Sequence, residues 1–92
     1  MQVEKVMKAI VKALDKYDLR PLVRSYGQAP AEFEEMARRY YAPTYLIEFT
    51  NGYSMTIRKG FSVKITPQGE KVMIGPLLFE EIVEEVRAIA KL

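Results

Sequence analysis

The stretch YLIEFTNGYSMTI, residues 45–57, constrains the fold of this chain more than any other part of it. Two runs of alternating residues flank an Asn-Gly pair, a pattern typical of a β-hairpin. A two-residue loop would mix apolar and polar side chains on each face. A three-residue loop would instead gather six large side chains on one face: Tyr45, Ile47, Phe49, Tyr53, Met55 and Ile57. We therefore predict the loop Thr50-Asn51-Gly52, with Gly52 in the left-handed region.

A second hairpin is predicted in the stretch FSVKITPQGEKVMI, residues 61–74. If residues 67–70 form a four-residue loop, Ile65 lies opposite Val72. Alternating residues would then continue the apolar face of the first hairpin, namely Phe61, Val63, Ile65, Val72 and Ile74. Because Gly60 permits a tight turn between the two hairpins, the pattern predicts an antiparallel meander with one apolar and one mostly polar face.

Helical periodicity is present at both ends of the chain and once in between. Residues 3–17 and 76–91 each carry an apolar stripe at spacings of three and four. Residues 30–41 predict a shorter helix that starts at Pro30 and is closed off by Pro43. Residues 19–28 fit either a short edge strand or an irregular connection.

Together these elements predict a single α+β domain over residues 1–92. We expect a four-stranded antiparallel meander sheet with one face covered by the N- and C-terminal helices, plus a short middle helix, in the order α-α-β-β-β-β-α. Two helices cover a sheet about 19 Å wide, so the apolar side of the middle helix lies at the sheet edge or meets another chain. We therefore predict a homo-oligomer with Phe33, Met36 and Tyr40 at its interface.

Composition removes several classes of function. The chain has no Cys and no His, which excludes disulfides, thiolate nucleophiles, zinc fingers and Ser-His-Asp catalysis. Its apolar runs are far shorter than the ~20 residues that cross a bilayer, and its first residues do not resemble a signal peptide. We expect a soluble cytoplasmic protein. A single Asn and three Gln beside 14 basic and 12 acidic residues favour a thermophilic source.

Two basic regions are candidates for binding nucleic acid. The stretch RRYYAPTY, residues 38–45, joins arginines to aromatic rings. The predicted polar sheet face carries Ser54, Thr56, Arg58, Ser62, Lys64 and Thr66. The candidate residues are Arg38, Arg39, Tyr41, Arg58, Lys59 and Lys64. The same features suit arginines that complement a helix dipole and a sheet face in water. A net charge of +2 does not decide between these interpretations.

Candidates for catalysis are weak. Glu48 has no second carboxylate that the sequence places beside it, as general acid–base chemistry requires. The turn at Gly75-Pro76 lacks the glycine-rich loop of a phosphate site. A solvated helix face is predicted for Glu80, Glu81, Glu84 and Glu85. We expect no catalytic residue, no cofactor and no metal. The first hypothesis is a non-enzymatic module that self-associates and binds a protein partner.

In its order of elements the chain resembles double-stranded-RNA-binding domains and small dimeric nucleoid-associated proteins. The resemblance is topological and covers the first helix and residues 44–92. Topology alone does not determine function, so nucleic-acid binding, the alternative hypothesis, rests on the basic and aromatic residues named above. Double-stranded-RNA-binding domains clamp phosphates with basic residues at the start of the last helix, where this chain reads FEEIVEE, residues 79–85. That departure argues against this mode of binding.

Overall fold

The computed structural model describes residues 3–28, 45–58, 61–75 and 78–92. Within these ranges the chain forms two α-helices, one 3-10 turn at Arg20–Leu22 and five β-strands. The helices are α1 (Val3–Lys16) and α2 (Phe79–Ala90). In chain order the strands are β1 (Val23–Gln28), β2 (Tyr45–Phe49), β3 (Ser54–Arg58), β4 (Phe61–Ile65) and β5 (Lys71–Met73).

The strands form one antiparallel sheet in the order β1-β2-β3-β4-β5. The α+β class and the meander are as predicted, but the sheet has five strands rather than four. The additional strand is β1, because the edge-strand alternative for residues 19–28 is the one that forms. A strand therefore follows α1 and its 3-10 turn, so the predicted order of elements is also wrong. The predicted middle helix, residues 30–41, lies outside the described residues.

The β2–β3 hairpin has the predicted register. Tyr45 pairs with Ile57 and Ile47 with Met55. The N–H of Phe49 donates to the carbonyl of Tyr53 at 2.9 Å. Gly52 has a φ of +89°, as the three-residue loop requires.

The apolar residues of β4 lie on the opposite face of the sheet from the one predicted. Thr56 pairs with Val63 and Met55 with Lys64, and paired residues share a face of the sheet. Lys64 therefore lies on the side of Met55. Val63, its neighbour in the strand, lies on the opposite side with Thr56.

The cause of this difference is the spacing between β3 and β4. The backbone of Arg58 pairs with that of Phe61, so only two residues separate the strands. A shift of one residue moves every side chain of a strand to the other face. The predicted grouping of Ser62 and Lys64 with Thr56 is therefore wrong.

The loop between β4 and β5 is one residue shorter than predicted. The N–H of Thr66 donates to the carbonyl of Glu70 at 2.9 Å, and the loop is residues 67–69. Gly69 has a φ of +88°, so this loop is built like the first one. As a result Ile65 pairs with Lys71 instead of Val72, and Ile65 and Val72 end on opposite faces.

The residues that end α1 and begin α2 differ from those that the sequence predicted. The N–H of Leu19 donates to the carbonyl of Leu14 at 2.7 Å and that of Asp18 to Asp15 at 3.4 Å, which is a Schellman motif. Asp18, with a φ of +54°, therefore stops α1. The helix α2 starts at Phe79 instead of near residue 76.

The core lies between the two helices and one face of the sheet, which we call the front face. Its buried side chains come from both helices, from Leu19, and from the front of β2 and β3. They are Val6, Met7, Ile10, Leu14, Leu19, Ile47, Phe49, Met55, Ile57, Ile82, Val86, Ile89 and Ala90. Tyr45 and Tyr53 pack against this core, which confirms the apolar face predicted for the first hairpin.

Candidate interaction surface

The opposite side of the sheet, on which neither α1 nor α2 packs, is the candidate site. We call it the back face. Beside the Arg58–Phe61 backbone pair, the register assigns ten residues to it: Ser25, Gly27, Leu46, Glu48, Ser54, Thr56, Val63, Ile65, Lys71 and Met73. Cross-strand pairing arranges these residues in two parallel rows.

The first row, which we call the apolar row, consists of Gly27, Leu46, Thr56, Val63 and Met73. Thr56 in its middle is only 5 % exposed, whereas Met73 on the edge strand is 66 % exposed. Leu46 and Val63 are half-buried, and neither belongs to the core cluster. The back face therefore carries an apolar surface of its own, separate from the core.

The second row, which we call the charged row, consists of Ser25, Glu48, Ser54, Ile65 and Lys71. Its two opposite charges are Glu48 on β2 and Lys71 on β5. Strands are spaced at about 4.8 Å, so three steps separate these residues by about 14 Å. This distance is too long for an ion pair between Glu48 and Lys71 of the same chain.

Of the predicted nucleic-acid residues, the two whose backbones the structure describes, Arg58 and Lys64, are assigned by the register to opposite faces of the sheet. Lys64 is half-buried on the front face, where it pairs with Met55 and Val72. The backbone of Arg58 lies in β3. The other candidates lie outside the described residues, as do the predicted oligomer residues. These are Arg38, Arg39, Tyr41 and Lys59 in the first set, and Phe33, Met36 and Tyr40 in the second.

A charged cluster lies at the corner between α1 and β1. Arg20 donates from Nε and Nη2 to the two carboxylate oxygens of Asp15, and from Nη1 to the Tyr26 hydroxyl at 3.1 Å. The Arg20 hydrogen bond is the main cause that holds the pKa of Asp15 below its usual range. A shallow cleft of about 270 Å³ lies beside this cluster. Since Asp15 and Arg20 bind each other, the cluster joins the helix to the sheet.

A second shallow groove runs along α2. It is lined by Glu80, Glu81, Glu84 and Glu85. One of these carboxylates has a structural task, because Glu81 accepts the N–H of Leu78 at 3.0 Å and so satisfies the start of the helix. Within the described ranges, no group of three or more acidic side chains is arranged to hold a metal ion.

Sequence reasoning missed the apolar row. Leu46, Val63 and Met73 are far apart in the chain, and only the strand register brings them together. The signal that could have found the row is the short Lys59-Gly60 connection. Two residues between paired strand ends place Val63 opposite Thr56 and away from the core.

Two further observations bear on function. In the part of the chain that the structure describes, no helix is both long and apolar enough to span a membrane. Comparison with known proteins identifies no matching family model, no similar curated protein and no similar solved structure. The function is therefore inferred from the geometry of the back face.

Proposed function

We propose that this protein is a small non-enzymatic interaction module that associates with itself through the back face of its sheet. The observation that carries the proposal is the apolar row from Leu46 through Thr56 and Val63 to Met73. Leu46, Val63 and Met73 keep apolar surface exposed in this row, and neighbouring apolar side chains that are exposed outside the core are a feature of protein interfaces. The interface predicted around Met36 is a separate hypothesis that does not depend on this row.

The exposure of Met73 supports the proposal. Apolar residues on the front of β2 and β3 that belong to the core are at most 2 % exposed, so the fold readily buries large side chains. Met73 nevertheless has 66 % of its surface exposed at the end of the apolar row. Methionine is a side chain that adapts to partner surfaces. Docking of a second copy would remove this apolar surface from water.

The chemistry of the other clefts supports a non-enzymatic role. Catalysis by proton transfer needs a titratable group held close to a reacting atom. At the α1–β1 corner, Asp15 is engaged by Arg20. Along α2, the groove is shallow and lined by carboxylates on one helix face, an arrangement that does not exclude water from a substrate.

Nucleic-acid binding stays a prediction and ranks second. Of its six candidate residues, only Lys64 has a described side chain, and that residue is on the front face. The back face carries Glu48 and Lys71, and the register adds the backbone position of Arg58 to it, so its small net charge gives it little attraction for phosphates. Binding to duplex RNA or DNA that weakens steeply with salt would reverse this ranking.

Light scattering behind a sizing column tests the proposal. We expect the apparent mass to rise from the 10.6 kDa of one chain toward twice that value as the protein concentration increases. Micromolar to near-millimolar concentrations are appropriate, because small interfaces bind weakly. A mass of 10.6 kDa at every concentration would contradict self-association.

A further inference from the structure

We propose that two copies stack back face on back face about a two-fold axis that runs parallel to the strands, between β3 and β4. In this arrangement Glu48 of each copy faces Lys71 of the other. The inference rests on the self-association proposed above and specifies its geometry. Two observations support it, namely the register of the two rows and the positions of the two charges.

The pairing follows from how a two-fold rotation exchanges strands. Rotation about a line between β3 and β4 lays β2 over β5 of the second copy, and β3 over its β4. Positions along the strands are unchanged, so each row faces the same row of the second copy. Glu48 then meets Lys71 in the charged row. In the apolar row the pairs that meet are Leu46 with Met73 and Thr56 with Val63.

Other positions of the two-fold axis leave either the charges or Met73 without suitable contacts. An axis through β3 lays β2 over β4 and places the Glu48 carboxylate on Ile65, which leaves a buried charge without a partner. An axis between β2 and β3 leaves Lys71 and the exposed Met73 without contacts. An axis perpendicular to the strands exchanges the two rows and sets Glu48 against Leu46. Of these four axes, the one between β3 and β4 both pairs the charges and covers Met73.

The spacing of packed sheets suits this pairing. Two sheets stack about 10 Å apart with their strands within about 30° of each other. Glutamate and lysine have long side chains that can meet across such a gap, while Thr56 and Val63 fill the middle. By symmetry the dimer has two such ion pairs, one at each end of the charged row.

The size of the surface indicates a reversible dimer. Two rows across four strands cover a rectangle of about 19 by 14 Å, or about 270 Å² on each copy, which is below the range of stable interfaces and suits a weak, transient dimer. Charge complementarity in an interface acts mainly on specificity and register. Reversing one of the charges should therefore remove a large share of the binding free energy of the dimer.

Charge reversal tests the geometry by sedimentation velocity at low salt. In a homodimer, Glu48→Lys sets two lysines against each other at both sides, and Lys71→Glu sets two glutamates against each other. We expect each variant alone to raise the dissociation constant at least about tenfold. Lys8→Glu makes the same substitution as Lys71→Glu at an exposed position of α1. It serves as the control and should dimerise like the wild type.

An equimolar mixture of Glu48→Lys and Lys71→Glu is the decisive sample. In the mixed dimer the two introduced charges face each other with opposite sign, and so do the two native charges. The mixture should therefore regain the affinity of the wild type. If the wild type dimerises and the mixture stays as monomeric as its components, or if neither single variant weakens the dimer, this geometry is overturned while self-association stands. A wild type that is monomeric at every concentration overturns both.

Discussion

Asn51 ties the first hairpin loop to the C-terminal end of the chain. Its Nδ2 donates to the carbonyls of Ile89 at 2.9 Å and Leu92 at 3.3 Å, and its Oδ1 accepts the N–H of Tyr53 at 3.0 Å. The carbonyls at the end of a helix lack partners within the helix. Asn51 therefore satisfies the C-terminal end of α2, beyond its predicted role as a turn residue.

Loss of this side chain should destabilise the fold. We expect Asn51→Ala to lower the free energy of unfolding by about 1–3 kcal/mol, because it removes the two hydrogen bonds donated to Ile89 and Leu92 and the one accepted from Tyr53. Asn51→Asp should cost at least as much, since it replaces the donor with a negative charge near the negative end of the helix dipole. Urea unfolding measures both variants.

Gln68→Ala is the matched control for Asn51, because Gln68 is the middle residue of the second hairpin loop and is exposed. It should change stability by no more than about 0.5 kcal/mol. Equal losses at both positions would mean that the contacts of Asn51 with α2 contribute nothing.

The same substitution, glycine to alanine, should destabilise the protein by different amounts in the two hairpin loops. Gly52 and Gly69 have nearly equal φ angles, +89° and +88°, so alanine at either position costs about 1–2 kcal/mol of backbone strain. At Gly52 the added Cβ would also lie 3.2 Å from the Cβ and Cγ of Pro67, whereas at Gly69 it would meet nothing within 4 Å. We expect Gly52→Ala to have the lower melting temperature. Indistinguishable temperatures would show that Pro67 moves aside without cost.

At the scale of elements, the corner between α1 and β1 makes part of the stability depend on pH. Arg20 joins Asp15 of α1 to Tyr26 of β1, and its hydrogen bond lowers the pKa of Asp15. A carboxyl whose pKa is lower in the folded state stabilises the fold above its unfolded pKa, about 3.9. This contribution is lost as the pH falls through the lowered folded value.

Comparison with Asp15→Asn tests this pH dependence. The wild type should be the more stable protein at neutral pH, and its advantage should shrink as the pH falls below about 4. In an Arg20→Gln background, the advantage and its pH dependence should both largely disappear. An advantage that is the same at neutral pH and in strong acid would rule out the ionised pair as its source.

A comparison of the individual strands and hairpins shows which local sequence patterns are sufficient to predict their structure. The first hairpin is predictable because six large residues fall on one face in only one register, and the observed pairing of Ile47 with Met55 follows. The edge strand β1 is ambiguous because a bulge between Val23 and Ser25 interrupts its alternation. The second hairpin is mispredicted because alternation alone does not distinguish a three-residue from a four-residue loop.

At the scale of the whole molecule, the candidate site depends on information that the sequence pattern does not contain. Alternation in β4 shows that Val63 and Ile65 share a face, but not which face. The pairing of Arg58 with Phe61 decides this, and it sends Val63 to the back of the sheet. The class of the fold and its two terminal helices were therefore predictable, whereas the apolar row was not.

Two substitutions in the edge strand β5 test the central claim of self-association through the back face. Met73 is on the back face and Val72, its neighbour, is on the front, where it pairs with Lys64. Both side chains are exposed, by 66 % and 37 %. Met73→Lys and Val72→Lys therefore introduce the same charge into the same strand on opposite faces.

Sedimentation velocity of these two variants beside the wild type is the most direct measurement. We predict that Val72→Lys keeps the concentration-dependent mass of the wild type, whereas Met73→Lys stays at the 10.6 kDa of one chain. Association of Met73→Lys as strong as that of the wild type would contradict an interface on the back face.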